Sequence, residues 1–100
     1  MHTQDLVDKL VENSRTLGIR TNMLELAQSY LQRSREELTS LQKWSERAPS
    51  REALDLLRKE KAEIRQRIKV EAADVRILGK NVSRLEATVK VSKRKLVARR

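Results

Sequence analysis

Residues 54–96 read LDLLRKEKAEIRQRIKVEAADVRILGKNVSRLEATVKVSKRKL, and this stretch decides the fold. Its apolar residues recur in alternating steps of three and four, the seven-residue repeat of a coiled coil. We letter the positions of the repeat a to g. The a series is Leu54, Lys61, Ile68, Val75, Val82, Val89 and Leu96, and the d series is Leu57, Ile64, Glu71, Leu78, Leu85, Ser92 and Arg99. No Pro interrupts the run, so it predicts one long helix with an apolar seam.

The first half of the chain repeats this pattern less cleanly. Its a series is Leu10, Leu17, Leu24, Leu31 and Leu38, and its d series is Leu6, Asn13, Arg20, Ala27, Ser34 and Leu41. Between the halves, Pro49 disfavours a continuing helix, and Ser50 is a good N-cap for a new one. The pattern predicts a first arm at about residues 4–47, a turn at 48–50 and a second arm at about 51–98.

The two arms also match each other across the turn. Reflection about the Pro49–Ser50 bond pairs seam layers and places Ser34 opposite Ile64, and Ala27 opposite Glu71. Arms of near-equal length around one turn are what a helical hairpin requires. We therefore predict an all-α fold, a long antiparallel helical hairpin (coiled coil) that forms a single domain over residues 1–100. Because β-branched a residues with Leu at d also favour parallel pairs, the second arm could instead pair with its copy in another chain.

Gly18 leaves an alternative for the first arm. Leu17-Gly18-Ile19 resembles a helix C-terminus with Gly in the left-handed conformation. Asn22 and Glu25 resemble the capping box of a new helix. The unbroken heptad favours a continuous first arm, and the alternative is a kink or a short extra helix near Gly18.

More apolar surface is present than one seam can cover. Two further stripes lie at the g positions of the first arm and the c positions of the second: Met23, Tyr30 and Trp44, then Leu56, Val70, Ile77 and Val91. Exposed apolar stripes of this size usually mark contact sites. The sequence therefore predicts a homodimer in which two hairpins form a helical bundle, or docking of another helical protein. A first arm folded back at Gly18 would cover part of this surface, and Trp44 could instead pack on Leu41, Ala48 or Leu56.

Two charged residues interrupt the seam of the second arm. Lys61 and Glu71 stand where aliphatic side chains are expected. Polar residues at such positions can fix the register and the choice of partner at a cost in stability. Alternatively, Lys61 reaches water from near the turn, and Glu71 pairs with Arg67 or another cation.

The positive charge is concentrated in the second half. Residues 1–50 hold seven basic and seven acidic side chains, whereas residues 51–100 hold sixteen and seven. Six cations lie close to the end of the chain: Lys90, Lys93, Arg94, Lys95, Arg99 and Arg100. Such a cluster predicts binding of nucleic acid or another polyanion, or a nuclear import signal in a eukaryote. The alternative is a solvated helix end whose cations complement the helix dipole.

The residues needed for catalysis are scarce. There is no Cys, and His2 is the only His, so we predict no metal site and no cofactor. No apolar run is long enough for a membrane span, and residues 1–5 do not resemble a signal peptide. We predict a non-enzymatic, cytoplasmic protein (nuclear if eukaryotic) that acts in protein–protein interaction or assembly as an adaptor, chaperone or inhibitor. The alternative is a nucleic-acid-binding protein that uses the basic C-terminal end.

Overall fold

The fold consists of two long α-helices joined by a short turn. The computed structural model describes residues 3–98, with α1 at Thr3–Glu46 and α2 at Arg51–Ala98. The two helices pack against each other, and this arrangement confirms the predicted all-α antiparallel hairpin.

The turn ends one helix and begins the next within four residues. The last turn of α1 tightens, because the Arg47 and Ala48 amides donate to carbonyl oxygens three residues earlier, at 3.0 and 3.4 Å. After Pro49, the Ser50 hydroxyl accepts a hydrogen bond from the Ala53 amide at 3.2 Å. Ser50 is therefore the N-cap of α2, as the sequence predicts, and Glu52 places a negative charge in the first helical turn.

The helix α1 runs without interruption through Gly18. No residue among those described has a positive φ, so Gly18 does not adopt the left-handed conformation that would end a helix. The alternative of a short extra helix near Gly18 is therefore wrong. The heptad seam keeps its phase across this residue, and seam packing outweighs the weak helix preference of one glycine.

Both glycines lie in open helical positions, so alanine is expected to stabilise the hairpin at either one. A Cβ atom added to Gly18 or Gly79 would meet no atom within 4 Å. Each Gly→Ala change is expected to raise the free energy of unfolding by about 0.5–1 kcal/mol, because alanine restricts the unfolded chain more than glycine does. Urea unfolding followed by circular dichroism measures this change, with Gln28→Ala on exposed α1 surface as the control. A loss of stability in Gly18→Ala would contradict the expectation.

The hairpin contains two compact units. The terminal unit comprises Met1–Glu25 and Arg76–Arg100, of which residues 3–25 and 76–98 are described, and the turn unit comprises Leu26–Val75. Leu31 and Ile64 are buried in the turn unit, and Leu6, Val82 and Val89 are buried in the terminal unit. Each a and d residue of α2 from Leu54 to Leu96 is buried or half-buried, so the seam forms the core of each unit. That residues 1–100 form a single domain stays a prediction.

Arg20 departs from the seam that its position in the heptad predicts. Its side chain is exposed and donates a weak hydrogen bond to the Met23 sulfur at 3.9 Å. A guanidinium withdrawn from water without a partner would lose several kcal/mol of solvation. At the d position of residue 20, α1 therefore adds no apolar side chain to the seam.

The pairing of the two helices differs from the reflection about Pro49–Ser50. Ser34 contacts Arg67 and Glu71, which lie three and seven residues beyond the Ile64 partner that the reflection predicts. A seven-residue repeat explains the error, because an apolar seam pairs almost equally well after a shift of one layer. The polar contacts distinguish the two alignments, since the predicted one places Ala27, not Ser34, opposite Glu71.

Candidate interaction surfaces

In the turn unit, the g positions of both helices lie on the same side of the hairpin. Glu37 occupies a g position of α1 and Arg67 a g position of α2, and their side chains form an ion pair between the helices. Trp44 and Glu60, which are also g residues, line one shallow groove of about 450 Å³ together with Ile64. We call this side of the turn unit the g side. Position c lies one helical turn before g, so c residues border the same side.

The g side of the turn unit carries an unusual amount of exposed apolar surface. Its large apolar residues are Leu26, Tyr30, Trp44, Leu56 and Val70, all at c or g positions and all exposed. Trp44 and Leu56 stand out, since each keeps about two thirds of its surface open, at 67% and 66%. The Arg33 guanidinium lies 6.0 Å from the centre of the Tyr30 ring, at the outer limit of a cation–π contact.

The terminal unit has an apolar set of its own. Met23, Ile77 and Val91, which the sequence predicts at a contact surface, are exposed there, and so is Ile19. All four occupy c or g positions. Val11 and Val97 are also exposed in this unit but lie at b positions.

Ile19 and Leu26 are two exposed apolar residues that were not predicted at a contact surface. They lie seven residues apart at consecutive c positions of α1, and each alternates with the g residues Met23 and Tyr30. The signal was present, because an apolar stripe at c and g reads as i, i+4, i+7 and i+11 on one helix face. Only the g half of this stripe was included in the prediction.

The concave surface beside the turn is open to solvent. It has a volume of about 500 Å³ and is lined mostly by apolar groups: Trp44, Arg47, Ala48, Pro49, Ala53, Leu56 and Leu57. Trp44 shares this surface with Ala48 and Leu56. The sequence suggested packing on these two residues as the alternative to a contact with a partner. Its exposure of 67% shows that such contact leaves most of the indole free.

A polar cluster crosses the seam of the turn unit. Ser34 is 4% exposed, and its hydroxyl accepts a hydrogen bond from the Arg67 Nε at 3.2 Å while donating one to a Glu71 carboxylate oxygen. Arg67 also lies 3.9 Å from that carboxylate and pairs with Glu37. The alternative that Glu71 pairs with Arg67 is thus confirmed. Every charged group of the cluster has a partner, which is the condition under which a buried polar group is tolerated.

That the C-terminal end binds a polyanion stays a prediction. Lys90, Lys93, Arg94 and Lys95 are exposed, but they occupy four different heptad positions. At about 100° per residue, Lys95 projects roughly 140° away from Lys90 around the helix. Arg99 and Arg100 lie outside the described residues. Two further cations of the terminal unit, Arg76 and Lys80, project within about 40° of Arg94 and within about 80° of Lys90, and the sequence prediction did not include them.

Residues 3–98 were compared with the requirements of a metal site and of a membrane-spanning helix. Within this part of the chain, no group of three or more acidic or His side chains is placed to hold a metal ion. Neither helix, over the same residues, contains a stretch apolar and long enough to cross a bilayer.

Comparison of the chain with protein-family models, with curated proteins and with solved structures gives no significant match.

Proposed function

We propose that this chain is a non-enzymatic assembly module that pairs with a second copy of itself through the g side of the turn unit. The observation that carries the proposal is the position of the exposed apolar residues. All five large apolar side chains that are exposed in the turn unit occupy c or g positions. Scattered exposure would place them around both helices, whereas concentration on one set of positions is typical of a contact surface.

A second copy is the favoured occupant because of the charge on this surface. The chain as a whole carries a formal net charge of +9. The g side of the turn unit is nearly neutral, with Arg33, Arg47 and Arg67 beside Glu37, Glu60, Glu63 and Asp74. A surface with mixed charges can meet its own copy about a two-fold axis, where cations of one chain face carboxylates of the other.

The geometry also suits such a pair. Each hairpin provides two adjacent helices, and two hairpins joined by their g sides would form a four-helix bundle. Tyr30, Trp44 and Leu56 would then move from water into an interface. Buried aromatic anchors such as Tyr30 and Trp44 supply much of the binding energy in protein interfaces.

Size-exclusion chromatography with light scattering tests the proposal. The wild-type chain is expected to elute with twice the monomer mass of 11.7 kDa. The double variant Leu56→Glu/Val70→Glu is expected to elute at the monomer mass, because it buries two carboxylates without partners in the interface.

The matched control is Ala62→Glu/Gln66→Glu. It adds two carboxylates to exposed b and f positions of the same part of α2, so it should leave the mass of the pair unchanged. A wild-type chain that stays monomeric at its highest workable concentration would overturn self-pairing. An equal loss of mass in both double variants would show that added negative charge, not the g side, is responsible. Capture of a different helical protein by a monomeric chain would replace the second copy with that partner.

A further inference from the structure

We infer that the outer face of α2 in the terminal unit binds the phosphate backbone of duplex nucleic acid. This face consists of the b and f positions, which point away from the seam. Four cations occupy it, Arg76, Lys80, Lys90 and Arg94, and we call them the basic stripe. At 100° per residue they lie within an arc of about 80°, and at 1.5 Å per residue they extend over about 27 Å of helix.

The separation of charge on α2 distinguishes the basic stripe from an ordinary solvated face. After Asp55, no carboxylate of α2 occupies a b or f position, and the five that follow lie at c, d, e or g: Glu60, Glu63, Glu71, Asp74 and Glu86. A helix stabilised by its surface charges usually alternates signs at neighbouring positions. Here the b and f residues between the cations are small and neutral: Ser83 and Ala87.

The cations of the stripe are available to a ligand. All four side chains are exposed, and within residues 3–98 none forms an ion pair within 4 Å. Glu86 lies one turn before Lys90, yet it is not within ion-pair distance of it. The helix dipole favours cations only in the last turn of a helix. Arg76 and Lys80 lie about five turns or more from the end of α2, so the dipole does not explain their position.

The chemistry of the stripe favours duplex nucleic acid over other polyanions. Duplex DNA presents one negative charge per roughly 1.7 Å of axis, so a straight row of cations can neutralise several phosphates together. The stripe contains no aromatic residue that would stack on the bases of a single strand. It also contains no large apolar residue between its cations that would insert into a membrane surface.

The surface for nucleic acid is separate from the surface for pairing. The basic stripe uses b and f positions of α2, whereas the proposed self-contact uses c and g positions. Variants on one surface should therefore leave the other activity intact, and a monomeric chain that still binds duplex would leave this inference standing.

Two triple variants with the same change in charge test the inference. Lys80→Gln/Lys90→Gln/Arg94→Gln removes three cations from the stripe. Arg84→Gln/Lys93→Gln/Lys95→Gln removes the same residue types from c, e and g positions of the same segment of α2. Both should retain the circular dichroism spectrum of the wild-type hairpin.

Binding is measured by fluorescence anisotropy with a mixed-sequence DNA duplex of about 24 base pairs, between about 50 and 200 mM salt. The wild type should bind with a slope of log K against log salt near −3.6, the value for about four phosphate contacts, and the stripe variant with a slope near −0.9. At the lower salt concentration, the stripe variant should bind on the order of 100-fold more weakly, while the control variant should lose roughly tenfold or less.

Further probes separate the possible polyanions. An RNA duplex of the same sequence shows which type of duplex is preferred, and stripe-dependent binding of either supports the inference. If the two triple variants weaken duplex binding equally, the effect depends on overall charge and not on the basic stripe, and the inference is overturned. Tighter binding of vesicles with anionic lipids, of poly-glutamate or of the single strand, or no binding of either duplex at low salt, would also overturn it.

Discussion

Leu31→Ala is expected to lower the free energy of unfolding by about 2–4 kcal/mol. Leu31 is 6% exposed and lies in the core of the turn unit. The alanine variant loses the transfer free energy of the removed atoms and leaves a cavity, because two helices linked by one seam have few other residues that could fill it. Denaturant unfolding followed by circular dichroism measures the loss.

The chain provides a matched control for this change in Leu26→Ala. Leu26 lies on the same helix five residues earlier, but it is 53% exposed at a c position. The same Leu→Ala change there is expected to alter stability by less than about 0.5 kcal/mol in the monomer. If the g side pairs with a second copy, the effect of Leu26→Ala should grow with protein concentration, whereas the additional cost of Leu31→Ala should persist at all concentrations. Equal costs for the two variants in the monomer would contradict the proposed seam.

The seam itself was predictable from sequence because its signal is both local and repeated. Each heptad gives independent information about which helix face is buried, and ten of the thirteen a and d positions from Leu54 to Leu96 carry Leu, Ile or Val. The position of the turn was predictable for a similar reason, since Pro49 and the Ser50 cap act within one helical turn. The prediction of a continuous α1 also held, because the seam on both sides of Gly18 keeps the same phase.

The alignment of the helices was not predictable in the same way. A periodic seam looks the same after a shift of one layer, so apolar periodicity cannot choose between Ile64 and Glu71 as a neighbour of Ser34. The choice depends on hydrogen bonds that join the Ser34 side chain to Arg67 and Glu71, which lie 33 and 37 positions away in sequence. Arg20 shows a second reason why the heptad pattern can mislead. It occupies a d position, yet its charged side chain stays exposed outside the seam.

The candidate surfaces were predictable in part. The seven apolar residues selected from the g and c stripes are all exposed, but which residues bind a partner stays a prediction. The basic end was selected by proximity in sequence, which is a poor guide on a helix, since Lys93, Arg94 and Lys95 point in different directions. Sorting the cations by heptad position joins Lys90 and Arg94 with Arg76 and Lys80 instead.

The polar cluster in the seam gives the second large expected effect. Ser34→Ala alone is expected to destabilise the hairpin by about 1–2 kcal/mol, because it removes a hydrogen bond from the half-buried Glu71 carboxylate. Ser34→Ala/Glu71→Leu removes donor and acceptor together and restores an apolar d position. This double variant is expected to be more stable than wild type by about 1–3 kcal/mol, as is common when buried polar groups are replaced as a set. Arg67 keeps its exposed partner Glu37 in both variants.

The gain in stability should come with a loss of specificity. The contacts of Ser34 with Arg67 and Glu71 distinguish the observed alignment from one shifted by a layer, and an all-apolar seam at this level no longer does so. In a ¹H–¹⁵N correlation spectrum, the wild type should give one set of amide signals, and Ser34→Ala/Glu71→Leu should give more than one set for residues 26–75. The exposed change Gln66→Leu serves as the control and should retain one set.

A double variant that is less stable than Ser34→Ala would show that the cluster is a net source of stability. A single set of signals in the double variant would mean that the alignment is fixed elsewhere in the hairpin, because apolar layers alone would then suffice to select it.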